Sequence, residues 1–169
     1  MRWVISLVIF VVCAVASHFV ILTNIPGFIM GKAHTTFESQ GIPENTWLPS
    51  PRQTPETQRI VRPSPDLAYA ICRFDTRKGP IAISAPTGDS YGSLSIFNDQ
   101  TDNVFVGDLS NGSALTRIVV REAANDDDPQ SLIVRGKGIA VIRRLAPTQA
   151  EFDRAAALVA DATCQPFEG

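Results

Sequence analysis

The chain has 169 residues, with 15 Lys and Arg against 17 Asp and Glu and a formal net charge of -2. Once segments unable to join a core are set aside, that length supports one compact body. A near-balanced charge without a dense run of cations excludes nucleic acid as an expected partner, because displacing counterions from phosphates needs clustered Lys and Arg.

Trp3 to Leu22, WVISLVIFVVCAVASHFVIL, carries no formal charge over 20 residues. At about 1.5 Å per residue this crosses a hydrocarbon core of about 30 Å. A cleaved signal peptide competes with a retained anchor, since Ala14-Val15-Ala16 fits a small-x-small cleavage site. The short n-region, Met1 and Arg2, and the return of apolar residues at Phe19 to Leu22 favour the anchor. Membrane lipid is therefore an expected partner through residues 3–22. With Arg2 on one side and Lys32 on the other, the N-terminus is placed in the cytoplasm. The rest becomes the exported part of a single-pass bacterial inner-membrane protein, its domain in the periplasm. Inside the span, Cys13 reads as apolar filler and His18 as a neutral imidazole tipped toward the interface rather than a proton relay. Ile25 to Met30, IPGFIM, reads as interfacial, with Pro26 ending the helix, so residues 1–30 form the anchor and interfacial segment.

Residues 31–65 read as a proline-rich linker. Six of the twelve prolines fall between Pro43 and Pro65, which cannot sustain a helix or a central strand. An extended spacer follows, either holding the domain off the bilayer or lying along its surface.

Residues 66–169 read as a β-rich domain with a C-terminal helix. The runs LAYAICRF, IAIS, YGSLSIF, NVFVG, LTRIVVR, SLIV and GIAVIRR alternate with turn-rich breaks and contain no stretch long enough for a helical crossover. The fold class is mainly β (α+β), an antiparallel sandwich or partial barrel. Ile81, Ile83 and Ala85 are expected on one face of their strand, and Leu94 with Ile96 on one face of theirs. Thr148 and Glu151 form a capping box, and Phe152, Ala155, Ala156 and Val159 recur at helical spacing. Cys72 and Cys164 either close a loop across the body or remain two buried thiols, because the sequence does not fix their separation.

Gly88-Asp89-Ser90-Tyr91-Gly92 fits the G-x-S-x-G pattern of a hydrolase elbow. The residues after Ser90 alternate like a strand where an elbow needs a helix, and both histidines, His18 and His34, belong to the anchor region. Gly88-Asp89-Ser90 is therefore read as a hairpin turn, and a Ser90–Lys78 dyad as the weaker option. No metal and no cofactor are expected. Asp99, Asp102, Asp108 and the run Asp126-Asp127-Asp128 lack calcium-loop spacing, and the cysteines lack zinc spacing. Arg135, Lys137, Arg143 and Arg144 are read as one basic cluster around a hairpin, a charged edge or a contact for anionic headgroups. Asn111-Gly112-Ser113 is a turn that happens to match a glycosylation acceptor.

Ser64-Pro65-Asp66-Leu67-Ala68-Tyr69, Lys78-Gly79-Pro80, Tyr91-Gly92-Ser93-Leu94 and Asp99-Gln100-Thr101-Asp102-Asn103 occur in that order. They resemble the N-P-D-x-x-Y, G-P, Y-x-S-L and D-x-T-x-N signposts of the domain-of-unknown-function 1254 family. Ser64 stands where the family has Asn. The resemblance implies a β-rich fold, an envelope location and a companion protein of the family of unknown function 1214, and no established activity. It marks Asp66, Tyr69, Tyr91 and Asn103 as candidate binding residues, with strand-end packing as their alternative role. The whole reads as a membrane-anchored binding or assembly module. A serine-type or other small-substrate enzyme and a domain binding an apolar ligand between its sheets are the alternatives.

Overall fold

The computed structural model describes residues 1–54, 63–110, 116–123 and 131–168. A long helix α1 (Arg2–Ser39) precedes β1 (Leu48–Pro49), β2 (Leu67–Asp75), β3 (Ile81–Ala85), β4 (Gly92–Phe97) and β5 (Asn103–Asp108). Then come β6 (Thr116–Arg121), β7 (Ser131–Ile133), β8 (Lys137–Leu145), helix α2 (Gln149–Ala157) and β9 (Thr163–Pro166). One sheet runs β1-β2-β8-β4-β5 and the other β7-β6-β3-β9; every neighbouring pair is antiparallel except β6 and β7. The body is thus a β-sandwich with one C-terminal helix, as the alternating runs imply.

Period-two burial builds the core. Ala70, Cys72 and Phe74 of β2, Leu94 and Ile96 of β4, and Ala140 and Ile142 of β8 meet Ile81, Ile83, Ala85 and Val120 of the other sheet. Gly138 belongs to the same stripe of β8, and a Cβ there would stand 2.4 Å from the Phe74 ring, so only glycine lets that ring close the core. The Cys72–Cys164 disulfide joins β2 to β9 across the two sheets, with Cα atoms 6.6 Å apart and 92 residues between them in sequence. Thr148 and Glu151 form the reciprocal cap of α2.

Three sequence expectations change. The connection through Gly88-Asp89-Ser90 is not a hairpin: β3 and β4 belong to different sheets, so residues 86–91 arch from one sheet to the other. Pro26 does not end α1, which continues to Ser39. Thr23 Oγ1 and Asn24 Nδ2 donate to the Phe19 and Val20 carbonyls at 2.8 and 2.7 Å, supporting the turn before the proline, and tertiary contacts hold the turns after it. The third change concerns residues 31–65, whose described parts are not a free spacer. The Ser50 amide donates to the Tyr69 carbonyl at 2.8 Å and the Asn45 amide to the Arg73 carbonyl at 2.9 Å. Trp47 is buried in the core, its Nε1 donating to the Thr163 carbonyl at 2.8 Å. Residues 55–62, with Pro55, lie outside the described residues, as do Asn111-Gly112-Ser113 and Asp126-Asp127-Asp128.

The body sits directly on α1. Met30 and His34 are its buried residues, and His34 Nε2 donates to the Gly138 carbonyl at 3.1 Å while Nδ1 is buried without a partner. The expectation that His34 belongs to the anchor region alone is therefore corrected: it packs on the start of β8. The apolar part of α1 makes no such contacts, Phe10 being 69% and Phe19 61% exposed.

Burial first, then Lys137 and Arg73, hold the His34 imidazole below its usual range against the opposing pull of the Gly138 carbonyl and Glu44. A base whose folded-state value is depressed binds its proton more readily when unfolded. Its contribution is therefore complete above the unfolded value, about 6.5, and declines as pH falls below it. The full-length protein in detergent is expected to melt at lower temperature at pH 5.5 than at pH 7.5, and His34→Gln to flatten that difference. A second expectation concerns the cross-brace: reduction, or the Cys72→Ser/Cys164→Ser pair, should lower unfolding free energy by about 4 to 5 kcal/mol in denaturant titrations, the loop-closure value for a link of this span.

Candidate functional site

On β8 the stripe Gly138, Ala140, Ile142 faces the core, and the next residue in register, Arg144, carries a charge where an apolar side chain is due. Arg144 is 4% exposed. Its Nη2 donates to the Pro86 carbonyl in the arch, while Nε is buried without a partner. Among the described residues no carboxylate lies within ion-pair distance of it. Burial alone pulls its guanidinium below the usual value; with its delocalised charge it stays protonated. Backbone makes room for this head group: a Cβ at Gly88 would meet Nη1 at 2.8 Å, and one at Gly92 at 3.2 Å.

Arg144 lines a pocket of about 430 Å³ between the arch and α2, together with Asp89, Ser90, Glu151 and Arg154. The Thr148 side chain and amide hold Glu151 below the ordinary carboxylate range, so it stays ionised while bound into its own cap. Arg154 is exposed on the pocket's outer side. A buried, unpaired cation beside an open pocket is costly unless an anion completes it, and a planar fork of donors suits a carboxylate or phosphate oxygen pair. Arg144 was placed in a single basic cluster by the sequence, and the structure divides that cluster. Arg143 stands on the opposite face of β8, donating to Ser95 Oγ at 3.0 Å. Arg135 and Lys137 lie at the other end of the strand, near α1.

Ser90 reaches only the Leu145 carbonyl, at 3.5 Å. Lys78 is ion-paired with Glu44, and His34 bonds Gly138 six residues from Arg144 along β8, about 20 Å away. No base activates the hydroxyl among the described residues. Tyr91 is 55% exposed and its carbonyl accepts from the Leu145 amide; the Asp66 carbonyl accepts from Ala146, so both flank the end of β8 that carries Arg144. Tyr69 takes the Ser64 amide on its hydroxyl at 3.0 Å, closing the Pro65-Asp66 turn. Asn103 is at the far end of the sheet, where its amide, turned to satisfy both ends, donates to the Phe105 and Ile96 carbonyls. Asp102 accepts from Asn98 Nδ2 and Asp108 from Ser110.

A family model described as protein of unknown function (DUF1254) matches residues 44–166, from the bridge of Glu44 to Arg73 through the end of β9. The chain belongs to the DUF1254 family. The family signposts map onto the turn before β2, the turn after it, the start of β4 and the β4–β5 connection. DUF1254 membership covers the sandwich and leaves α1 outside the match. Among solved structures, the VPA0106 protein from Vibrio parahaemolyticus is 13% identical with a TM-score of 0.58, the match covering 86% of this chain and 37% of that one. An uncharacterised protein from Burkholderia cenocepacia is 16% identical with a TM-score of 0.43, covering 80% and 38%. The chain thus spans little more than a third of the solved proteins it matches, and at these identities the likeness concerns the fold. No curated protein matches the chain.

Replacing a buried unpaired cation with an apolar residue of similar length relieves desolvation. Arg144→Met is expected to raise unfolding free energy by about 1 to 3 kcal/mol without added anion, whereas Gly88→Ala should lower it by about 1 to 2 kcal/mol through its clash with the guanidinium. In the Arg144→Met background the Gly88→Ala loss should shrink. Thermal and denaturant melts of the four full-length proteins read this coupling.

Proposed function

We propose that this DUF1254 protein is a membrane-anchored binding module whose sandwich takes a carboxylate- or phosphate-bearing small ligand on Arg144. The observation that carries this is the buried guanidinium without a carboxylate, opening on a pocket of about 430 Å³. Support for the anchor comes from α1, which is long and apolar enough to cross a bilayer and bare of body contacts along that stretch. Support for export comes from the Cys72–Cys164 bridge, since such links persist in oxidising compartments. Together these give a single-pass protein of a bacterial inner membrane with the sandwich in the periplasm. Assembly with a companion of the 1214 family extends the reading. The solved Vibrio protein has most of its length outside the match, and a second polypeptide is one way to supply such a portion.

The enzyme reading on Ser90 has no base to support it, and the apolar-ligand reading finds little room. Between α2 and the first sheet the free space is about 10 Å³, and the interior between the sheets is filled by the side chains of the core.

The test is ligand-dependent melting of the full-length protein in detergent. Inorganic phosphate and succinate at millimolar concentration are expected to raise the melting temperature of the wild type and to leave Arg144→Met unmoved, as binding to the native state requires. Equal shifts in both proteins, or none in either, would overturn the anion reading. Carbonate extraction and protease access to the C-terminus in spheroplasts test anchoring and side separately.

A further inference from the structure

A second cleft lies about 20 Å along β8 from Arg144, where α1 meets the body. It has a volume of about 410 Å³ and is floored by Gly27 and Gly31 of the helix, with Arg135, Lys137, Asp99 and Glu122 on its walls. Nothing lies within 4 Å of a Cβ at Gly31, so the helix backbone itself faces open space. The charges divide into spent and unspent. Arg77, also on the wall, is paired with Asp75. Glu122 takes the Thr76 hydroxyl and the Gly136 amide, both on Oε2. Oε1 of Glu122, the Asp99 carboxylate and the cations Arg135 and Lys137 carry no ion pair among the described residues. The cleft is therefore bipolar, with two cations beside two carboxylates.

Its level along the chain is the second observation. Gly27 is five residues past Leu22, about 7.5 Å along the helix, which is the depth of lipid headgroups once Trp3 to Leu22 fills the hydrocarbon. Phe28 and Ile29, 73% and 53% exposed, point away from the body and suit the interfacial layer. A strongly anionic ligand would meet Asp99 and Glu122, and a simple cation would meet Arg135 and Lys137. A zwitterion satisfies both pairs.

We propose that this cleft seats the headgroup of an ethanolamine phospholipid, its phosphate on Arg135 and Lys137 and its ammonium on Asp99 and the free oxygen of Glu122. The seat rests on the membrane-anchor reading. It requires that the acyl chains run down along α1 beside the span while the headgroup fills the space above the two glycines. The lipid then wedges between helix and sandwich and fixes the height of the body over the bilayer.

The experiment is native mass spectrometry of the full-length protein released from nanodiscs that contain equal amounts of ethanolamine, choline and glycerol phospholipids. The wild type should retain one ethanolamine phospholipid in preference to the others. Retention should fall about tenfold or more in Arg135→Gln/Lys137→Gln, given the strength of such cation contacts at a membrane surface. Gly31→Leu fills the cleft while favouring the helix, and should abolish retention without lowering the melting temperature. Asp99→Asn should erase the preference for ethanolamine over choline while lipid is still held. Retention that ignores both the cleft-filling and the charge variants overturns the seat, as does equal binding of water-soluble phosphoethanolamine by protein held in lipid-free detergent. Carbonate extraction separates the two readings: a chain that stays in the membrane but holds no ethanolamine lipid loses only the seat, whereas a chain that is released loses the anchor and the seat together.

Discussion

β8 is paired on both sides and packed against the second sheet, so every second side chain along it must enter the core. That constraint places Gly138 under Phe74, Ala140 and Ile142 at the centre, and Arg144 where the hydrophobic filling ends. The same strand meets α1 at its first residues through the Gly138 carbonyl and His34. One element therefore sets the spacing between the attachment to the helix and the pocket at the opposite end.

The fold was legible because its signals are local. Seven strand-forming runs with polar breaks map onto β2 to β8, and the capping box at Thr148 and Glu151 marks α2. β1 and β9 escaped because neither looks like a strand by composition. β1 is two residues ending in Pro49, and β9 is Thr-Cys-Gln-Pro. Each is held at a sheet edge by its neighbour, where a missing N–H is tolerated. Trp47 was hidden for a similar reason, since a single aromatic among prolines carries no periodicity to betray that it is buried.

The Arg144 site was half legible. Its residue type was noticed, but grouped by sequence proximity with Arg143, Arg135 and Lys137, which the pleat and the length of β8 send to different places. The signal that separates them is present in GIAVIRR: counting by twos from Gly138 puts Arg144 in the core stripe and Arg143 outside it. Reading that required knowing which face is buried, which the opposing sheet decides. The arch through Gly88 was misread because a Gly-Asp-Ser run is equally good chemistry for a hairpin and for a connection between sheets, and only strand pairing distinguishes the two.

The continuity of α1 from the apolar stretch into its contacts with β8 has one more consequence. Because Trp47 and the Cys72–Cys164 bridge also clamp the following segment, the sandwich cannot swivel on a loose tether. A molecule confined to the same bilayer would approach it at constant height and orientation, searching a plane instead of a volume. Docking under those conditions loses little rotational freedom, so even a modest contact area between two such membrane-borne proteins would hold.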